Sequence, residues 1–250
     1  MKSVLRTFLL FLPVLFITSA DPAGSPTSFS RFPRLTLWAW QRPELLEFLD
    51  PQQVAVAYLD QTLYVHEVVR AEPRVQPLRV PPGTRVIAVV RIEMPAGYSS
   101  ESEETKAKIV AALLRSTRRG GVSALQVDFD AAKSQRAFYR EVLVQVRRQM
   151  PPWMPLSITA LASWCAYDDW IAGLPVNEAV PMLFRMGRER GLFDRRGPAR
   201  IIREPLCSGS LGLATDEPWP AETKGKRLYI FHARSWTNAV FINTLKRVNQ

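Results

Sequence analysis

Ala124-Leu125-Gln126-Val127-Asp128-Phe129-Asp130 alternates apolar and polar residues without a break. Successive side chains of a strand leave on opposite faces, so Gln126, Asp128 and Asp130 are predicted to share one face and Leu125, Val127 and Phe129 the other. Two carboxylates thus gather at the end of a predicted fourth strand. Other strand-like segments end in the same manner, in Trp38 and Trp40, Asp60, Arg91 and Glu93, Trp164, Arg185, Asp216 and Glu217, and His232 with Arg234. Their recurrence predicts a parallel barrel with one functional mouth, because the C-terminal strand ends of such a barrel open on a single rim.

Working outward, Leu35 to Trp40 reads as the first strand, and Pro43 is expected to open a short helix carrying Leu45, Leu46 and Leu49. Val54 to Leu59 is a near-continuous apolar run, the pattern of a strand buried on both faces. The β-branched and proline-rich residues after it, through Pro81-Pro82-Gly83, predict a hairpin or irregular arm in place of the second helix. Arg85 to Glu93 supplies a third strand, and Ser100-Glu101-Ser102-Glu103 a capping box for a helix ended by Gly120-Gly121. Ser134 is expected to cap a helix in which Phe138, Val142 and Val146 stack at every fourth position. Leu156 to Ala162, Ala179 to Met186, Leu211 to Thr215 and Arg227 to Ala233 complete eight strands, with a short helical turn around Asp168 to Ile171. Gly187 to Pro205 reads as a loop with one irregular helix, and Thr237 caps a final helix through Val248. Strands alternating with helices over this length predict a (β/α)8 barrel.

The first twenty residues carry Lys2 and Arg6, an apolar run from Phe8 to Ile17, and then Thr18-Ser19-Ala20. That is the layout of a secretory signal, too short to span a bilayer comfortably. The expected organisation is a signal peptide over 1–20, a flexible segment over 21–33 and one barrel domain over 34–250, in the periplasm or outside the cell, with no transmembrane span after cleavage. The net charge is +10, and loss of Lys2 and Arg6 leaves +8. An exported basic protein meets anionic envelope polymers or lipid head groups rather than nucleic acid, although the positive residues are scattered along the chain. Cys165 and Cys207 are the two cysteines. Exported pairs are commonly bridged, whereas the predicted topology sets these two toward opposite barrel ends unless a loop folds over, so the pairing stays open.

The candidate catalytic residues are Asp128, Asp130 and Glu93, since paired carboxylates offer an acid and a base to a glycosidic bond. The alternative is an ion-pair network in which Arg91 or Arg185 neutralises them. Gln126, Arg91, Arg185, Asp216, Glu217, His232 and Arg234 are candidate binding residues. Trp38, Trp40 and Trp164 are candidate platforms for a sugar ring, and Trp236 has a comparable position. His66 lies on the predicted arm and is read as a surface or packing residue. No Gly-x-Gly-x-x-Gly or phosphate-cradling loop follows a strand, no Gly-x-Ser-x-Gly elbow occurs, and neither Cys-x-x-Cys nor clustered histidine is present. No cofactor and no metal site are expected.

Leu37-Trp38-Ala39-Trp40, Val89-Val90-Arg91-Ile92-Glu93, Gln126 to Asp130 with Ser134-Gln135-Arg136, Ile158 to Cys165, Val180 to Gly187 and Thr215-Asp216-Glu217-Pro218 together resemble a family of bacterial exported proteins, the domain of unknown function numbered 3142. The resemblance covers most of the chain after the signal and implies no particular activity. A remoter likeness is to glycoside hydrolase barrels whose fourth strand ends in alternating acids, but this chain lacks the terminal glutamate that serves there as acid. The expected function is that of a glycoside-hydrolase-like barrel acting on, or binding, a carbohydrate or other polyanionic polymer of the envelope. The alternative is a non-catalytic binding or scaffolding barrel.

Overall fold

A computed structural model describes residues 29–98, 102–187 and 190–249. The predicted signal peptide, most of the 21–33 segment and Ser100 of the expected capping box lie outside the described residues. Among the described residues the strands are β1 (Leu35–Ala39), β2 (Glu44–Leu45), β3 (Val54–Val65), β4 (Val69–Pro73), β5 (Leu78–Arg79), β6 (Val86–Glu93), β7 (Val122–Asp128), β8 (Leu156–Leu161), β9 (Glu178–Met182), β10 (Ser210–Ala214) and β11 (Arg227–Phe231). The helices are α1 (Glu103–Thr117), α2 (Arg136–Gln149), α3 (Ala162–Ala166), α4 (Arg190–Arg196), α5 (Pro198–Ile201) and α6 (Asn238–Val248).

Strands β1, β3, β6, β7, β8, β9, β10 and β11 pair in parallel in that order, and β1 closes the ring by pairing with both β3 and β11. The fold is a closed eight-stranded α/β barrel of the TIM type. Where a second helix would stand, β3 runs on past the barrel and returns antiparallel as β4. The helix expected after Pro43 is instead β2, which pairs with β5, while Leu46 and Leu49 are buried by the turn that follows. This arm does a helix's work. The Arg74 guanidinium donates to the Trp40 and Arg42 carbonyls and, through Nε, to Gln76 O at 2.9 Å, so it fixes the chain that leaves β1.

Helix α1 is capped by Ser102, whose hydroxyl accepts the Thr105 N–H at 3.1 Å. Ser134 does not cap α2. Its hydroxyl donates to Ala96 O, and Gln135 in the preceding 3-10 turn accepts the Ala132 N–H at 2.9 Å. The turn expected around Asp168 to Ile171 lies just after α3, and the loop from Gly187 holds α4 and α5. Thr237 caps α6 as expected.

Inside the barrel, side chains stack in layers. At the N-terminal end, Glu178 is paired with Arg227 and accepts the Tyr229 hydroxyl at 2.6 Å, while the Phe29 ring lies beneath Arg227 and plugs that end. The middle layer holds Trp38, which fits because position 212 is glycine. A Cβ there would stand 2.9 Å from the indole and 3.2 Å from Pro181 O. Leu125, Val127 and Phe129 face outward into the core shared with α1 and α2, as the alternation predicts.

Candidate functional site

Register builds the mouth. Val89 is level with Gln126 and Arg91 with Asp128 across β6 and β7, and Val127 is level with Ile158 across β7 and β8. The inward face of β7 thus rises through Gln126 and Asp128, and Asp130 lines the cavity two residues past the end of the strand. Gln126, fully buried, accepts the Trp38 indole N–H at 2.8 Å and donates to Ser157 Oγ at 3.1 Å. It locks the tryptophan that forms the floor.

Above that floor is a cavity of about 650 Å³. One wall is aromatic: Trp40 meets Phe231 edge-on at 6.4 Å, Phe231 stacks on Phe184 at 5.6 Å, and Phe184 leans on Trp38 at 6.1 Å. The opposite wall carries Arg91, Asp128, Asp130 and Thr159, and Leu161, Ser163, Met182, Arg185 and Met186 close the circuit. A sugar ring, apolar on its faces and polar on its edge, suits such a two-sided chamber.

Asp128 is buried. Its Oδ1 accepts the Thr159 hydroxyl at 2.6 Å and its Oδ2 lies 3.8 Å from Arg91. Loss of water dominates both, with smaller contributions from the carboxylates of Asp130 and Glu93, and the Asp128 pKa rises from 3.8 to about 6. Asp130 lines the cavity from its rim and keeps an exposed surface. Partial burial also raises its pKa, with Arg91 opposing and Glu93 adding. Arg91 is shared among these acids, and its closest partner is Glu93 at 2.5 Å. Glu93 borders a small side recess of about 50 Å³ rather than the main cavity.

Arg185 stands on the lip in a left-handed backbone conformation, φ +56°, which costs a non-glycine residue energy unless neighbours hold it. Glu217 accepts both its backbone N–H at 3.0 Å and its guanidinium at 2.6 Å, and Asp216 takes the other guanidinium nitrogen at 2.6 Å. Glu217 also binds Arg190 at 2.6 Å. Asp216 and Glu217 therefore support the lip and do not line the cavity.

Several expected mouth residues stand elsewhere. Trp164 belongs to α3, not to a strand end, and is buried against Trp170 at 4.9 Å. Trp236 is buried with its indole N–H on Trp38 O at 3.0 Å. On β11 the inward positions are Tyr229 and Phe231, so His232 turns away and meets Thr215 Oγ1 at 2.7 Å, and Arg234 is exposed outside the cavity. Burial, helped by Arg234, lowers the His232 pKa. Asp60 sits at a register shift in β3 and faces α1, bound by Ser116 at 2.6 Å and Arg119 at 2.5 Å. His66 stacks on Tyr98 at 5.3 Å. Cys165 and Cys207 are joined in a disulfide with Cα atoms 5.9 Å apart, because the segment after α5 folds back over α3 and Arg203 N–H reaches Cys165 O at 2.9 Å. Among the described residues no set of three or more His, Cys, Asp or Glu side chains is placed to hold a metal ion. Thr159, Phe184, Phe231 and the two methionines escaped the sequence reading.

The chain carries a DUF3142 domain, "Domain of unknown function (DUF3142)", over residues 82–202. That span runs from the lead-in to β6 through α5 and includes the acid wall and Arg185. No curated protein matches the sequence. Among solved structures, the spore cortex-lytic enzyme SleL of Bacillus cereus is similar at 15% identity with a TM-score of 0.49, over 78% of this chain and 52% of that one. The chain thus spans about half the length of that enzyme.

Proposed function

We propose that the protein is an exported glycosidase-like barrel that binds a carbohydrate chain of the cell envelope in its mouth and cleaves a glycosidic bond with Asp128 and Asp130. The observation that carries the reading is the pair itself. Two carboxylates, Asp128 at the end of β7 and Asp130 two residues beyond it, face an aromatic wall across one cavity, and burial holds Asp128 at a pKa of about 6. Burial raises the pKa of both carboxyls, that of Asp128 to about 6, so at mildly acidic pH the site holds a proton to donate. Asp130, at the rim, is the group placed to meet a glycosidic oxygen and give it that proton. As the C–O bond breaks, a solvent water adds to the anomeric carbon, and the proton it loses returns to the acid pair through Asp128, whose orientation Thr159 and Arg91 fix. Glu93 is a positioning residue that holds Arg91. Trp40 and Phe231 present the flat surface for the sugar, and Trp38 closes the floor.

An exported location is supported by the leader-like residues 1–20 and by a disulfide, which oxidising compartments preserve. A second reading, binding without turnover, draws support from the ion pairs that occupy Arg91 and Arg185. Release of new reducing ends from peptidoglycan and from envelope polysaccharides separates the two. Wild type releases them, and Asp130→Asn and Asp128→Asn lower the rate by roughly 10²–10⁴ while retaining oligosaccharide affinity. A folded double variant with undiminished release refutes the catalytic assignment, and binding with no release from any polymer favours the second reading.

A further inference from the structure

The cations that look scattered in the sequence gather in space. All eight barrel strands are parallel, so every segment that leads into a strand lies at the N-terminal end, opposite the mouth. Residues 30–34, 80–85, 115–121 and 147–155 lead into β1, β6, β7 and β8; they contain eight arginines and no acidic residue. Arg34 and Arg147 bind backbone carbonyls, and Arg119 pairs with Asp60. Arg31, Arg85, Arg115, Arg118 and Arg148 have no ion-pair partner among the described residues, and all five are exposed. The lead-in to β3 carries the acids of this arc, but Glu47 lies 3.8 Å from Arg79 and Asp50 is turned onto Gln52 N–H and Gln53. Near the mouth, Arg91, Arg136, Arg185 and Arg190 are each matched to a carboxylate, while Arg42 donates to His232 O and Arg234 stands exposed without an ion-pair partner among the described residues.

Two further features belong to the same end. Arg31 and Arg85 border a cavity of about 280 Å³ with Gln52 and Gly83, room for one phosphate-bearing head group. Trp153, 60% exposed on the loop before β8, offers an indole of the kind that settles at the head-group level of a bilayer.

We propose that the N-terminal end of the barrel docks on an anionic lipid surface, which turns the mouth away from the bilayer. Arginine supplies the attraction and Trp153 the interfacial contact. A free polyanion would use the arginines but has no use for an exposed indole set among prolines.

The test is sedimentation of the full chain with vesicles of phosphatidylglycerol and phosphatidylethanolamine, against vesicles of phosphatidylcholine. The apolar N-terminal stretch is common to wild type and variants, so their difference isolates this face. Wild type should prefer the anionic vesicles and lose that preference in 0.5 M salt, about three times the ionic strength at which charges are screened beyond roughly 8 Å. Arg85→Gln with Arg118→Gln should weaken binding roughly 25-fold, about fivefold for each arginine removed. Trp153→Ser should weaken vesicle binding but not binding to soluble poly(glycerol phosphate). Equal binding to both vesicle types, unchanged binding of the double arginine variant, or binding to the soluble polymer without binding to anionic vesicles overturns the proposal.

Discussion

Replacing Asp128 by asparagine should stabilise the fold while damaging the site, and by an amount that depends on pH. The carboxyl is buried, and its pKa rises from 3.8 to about 6. A folded-state pKa above the unfolded one means that the native chain binds the proton more tightly, so ionisation works against the fold. Below about pH 4 the group is protonated in both states and imposes no penalty. As pH rises from about 4 through 6 the native state progressively loses stability relative to the unfolded chain, and above about pH 7 the loss levels off. A difference of about two in pKa corresponds to about 3 kcal/mol. The attraction of Arg91 and the Thr159 hydrogen bond are already contained in that net figure, because both act on the same carboxylate. Asparagine keeps an oxygen for Thr159 and carries no charge. Urea unfolding at pH 4, 6 and 8 should therefore show Asp128→Asn close to wild type at pH 4 and about 3 kcal/mol more stable at pH 8. In thermal melts that gap is roughly 6–12 °C for a domain of this size. Titrating groups that do not interact with Asp128, such as Glu44, whose pKa is also raised by burial, are common to both proteins and cancel in the difference. A gap that does not grow with pH, or a variant less stable at pH 8 than wild type, would show that Asp128 is not held as a buried, reluctant acid.

Gly212→Ala should cost about 1–3 kcal/mol, because the added Cβ would stand 2.9 Å from the Trp38 indole and 3.2 Å from the Pro181 carbonyl oxygen. The same change should dislodge the Trp38–Gln126 hydrogen bond and weaken oligosaccharide binding, read by calorimetry beside the melts. Cys165→Ser with Cys207→Ser should lower stability by up to about 4 kcal/mol, the chain-entropy value for a loop of this length, and should make the melt insensitive to reductant. Glu217→Gln removes a carboxylate that holds Arg185 in its left-handed conformation. It should raise the KM for oligosaccharide several-fold with little change in kcat, since Arg185 stands on the lip rather than at the acid pair.

The barrel and its acid strand were legible because β7 alternates. Leu125, Val127 and Phe129 can only be buried by α1 and α2, and that single fact turns Gln126, Asp128 and Asp130 inward. Strand β11 offers no such signal. Leu228, Tyr229, Ile230 and Phe231 are all apolar because both faces are covered, so the phase that puts Phe231 in the cavity and His232 outside is set by pairing with β1 and β10. The same blindness hid Phe184, which lies just past β9, and Thr159, which is recognisable only once β8 is in register with β7. Trp164 reads as a strand-end residue, but β8 ends at Leu161 and α3 begins at once, carrying the indole behind the sheet. Strand β2 is two residues long and exists only through its partner β5, more than thirty residues on, a contact that local pattern does not encode. Asp60 has the look of a mouth residue until the register shift at Leu59/Gln61 is seen, after which α1 claims it.

The most direct measurement is a crystal of the Asp130→Asn variant soaked with an intact envelope oligosaccharide. A sugar ring should lie flat on Trp40 and Phe231, with a glycosidic oxygen within about 3 Å of the residue-130 side chain and Asp128 beneath it. A ligand seated anywhere but this chamber, or one whose glycosidic oxygens all point away from the β7 carboxyl positions, contradicts it.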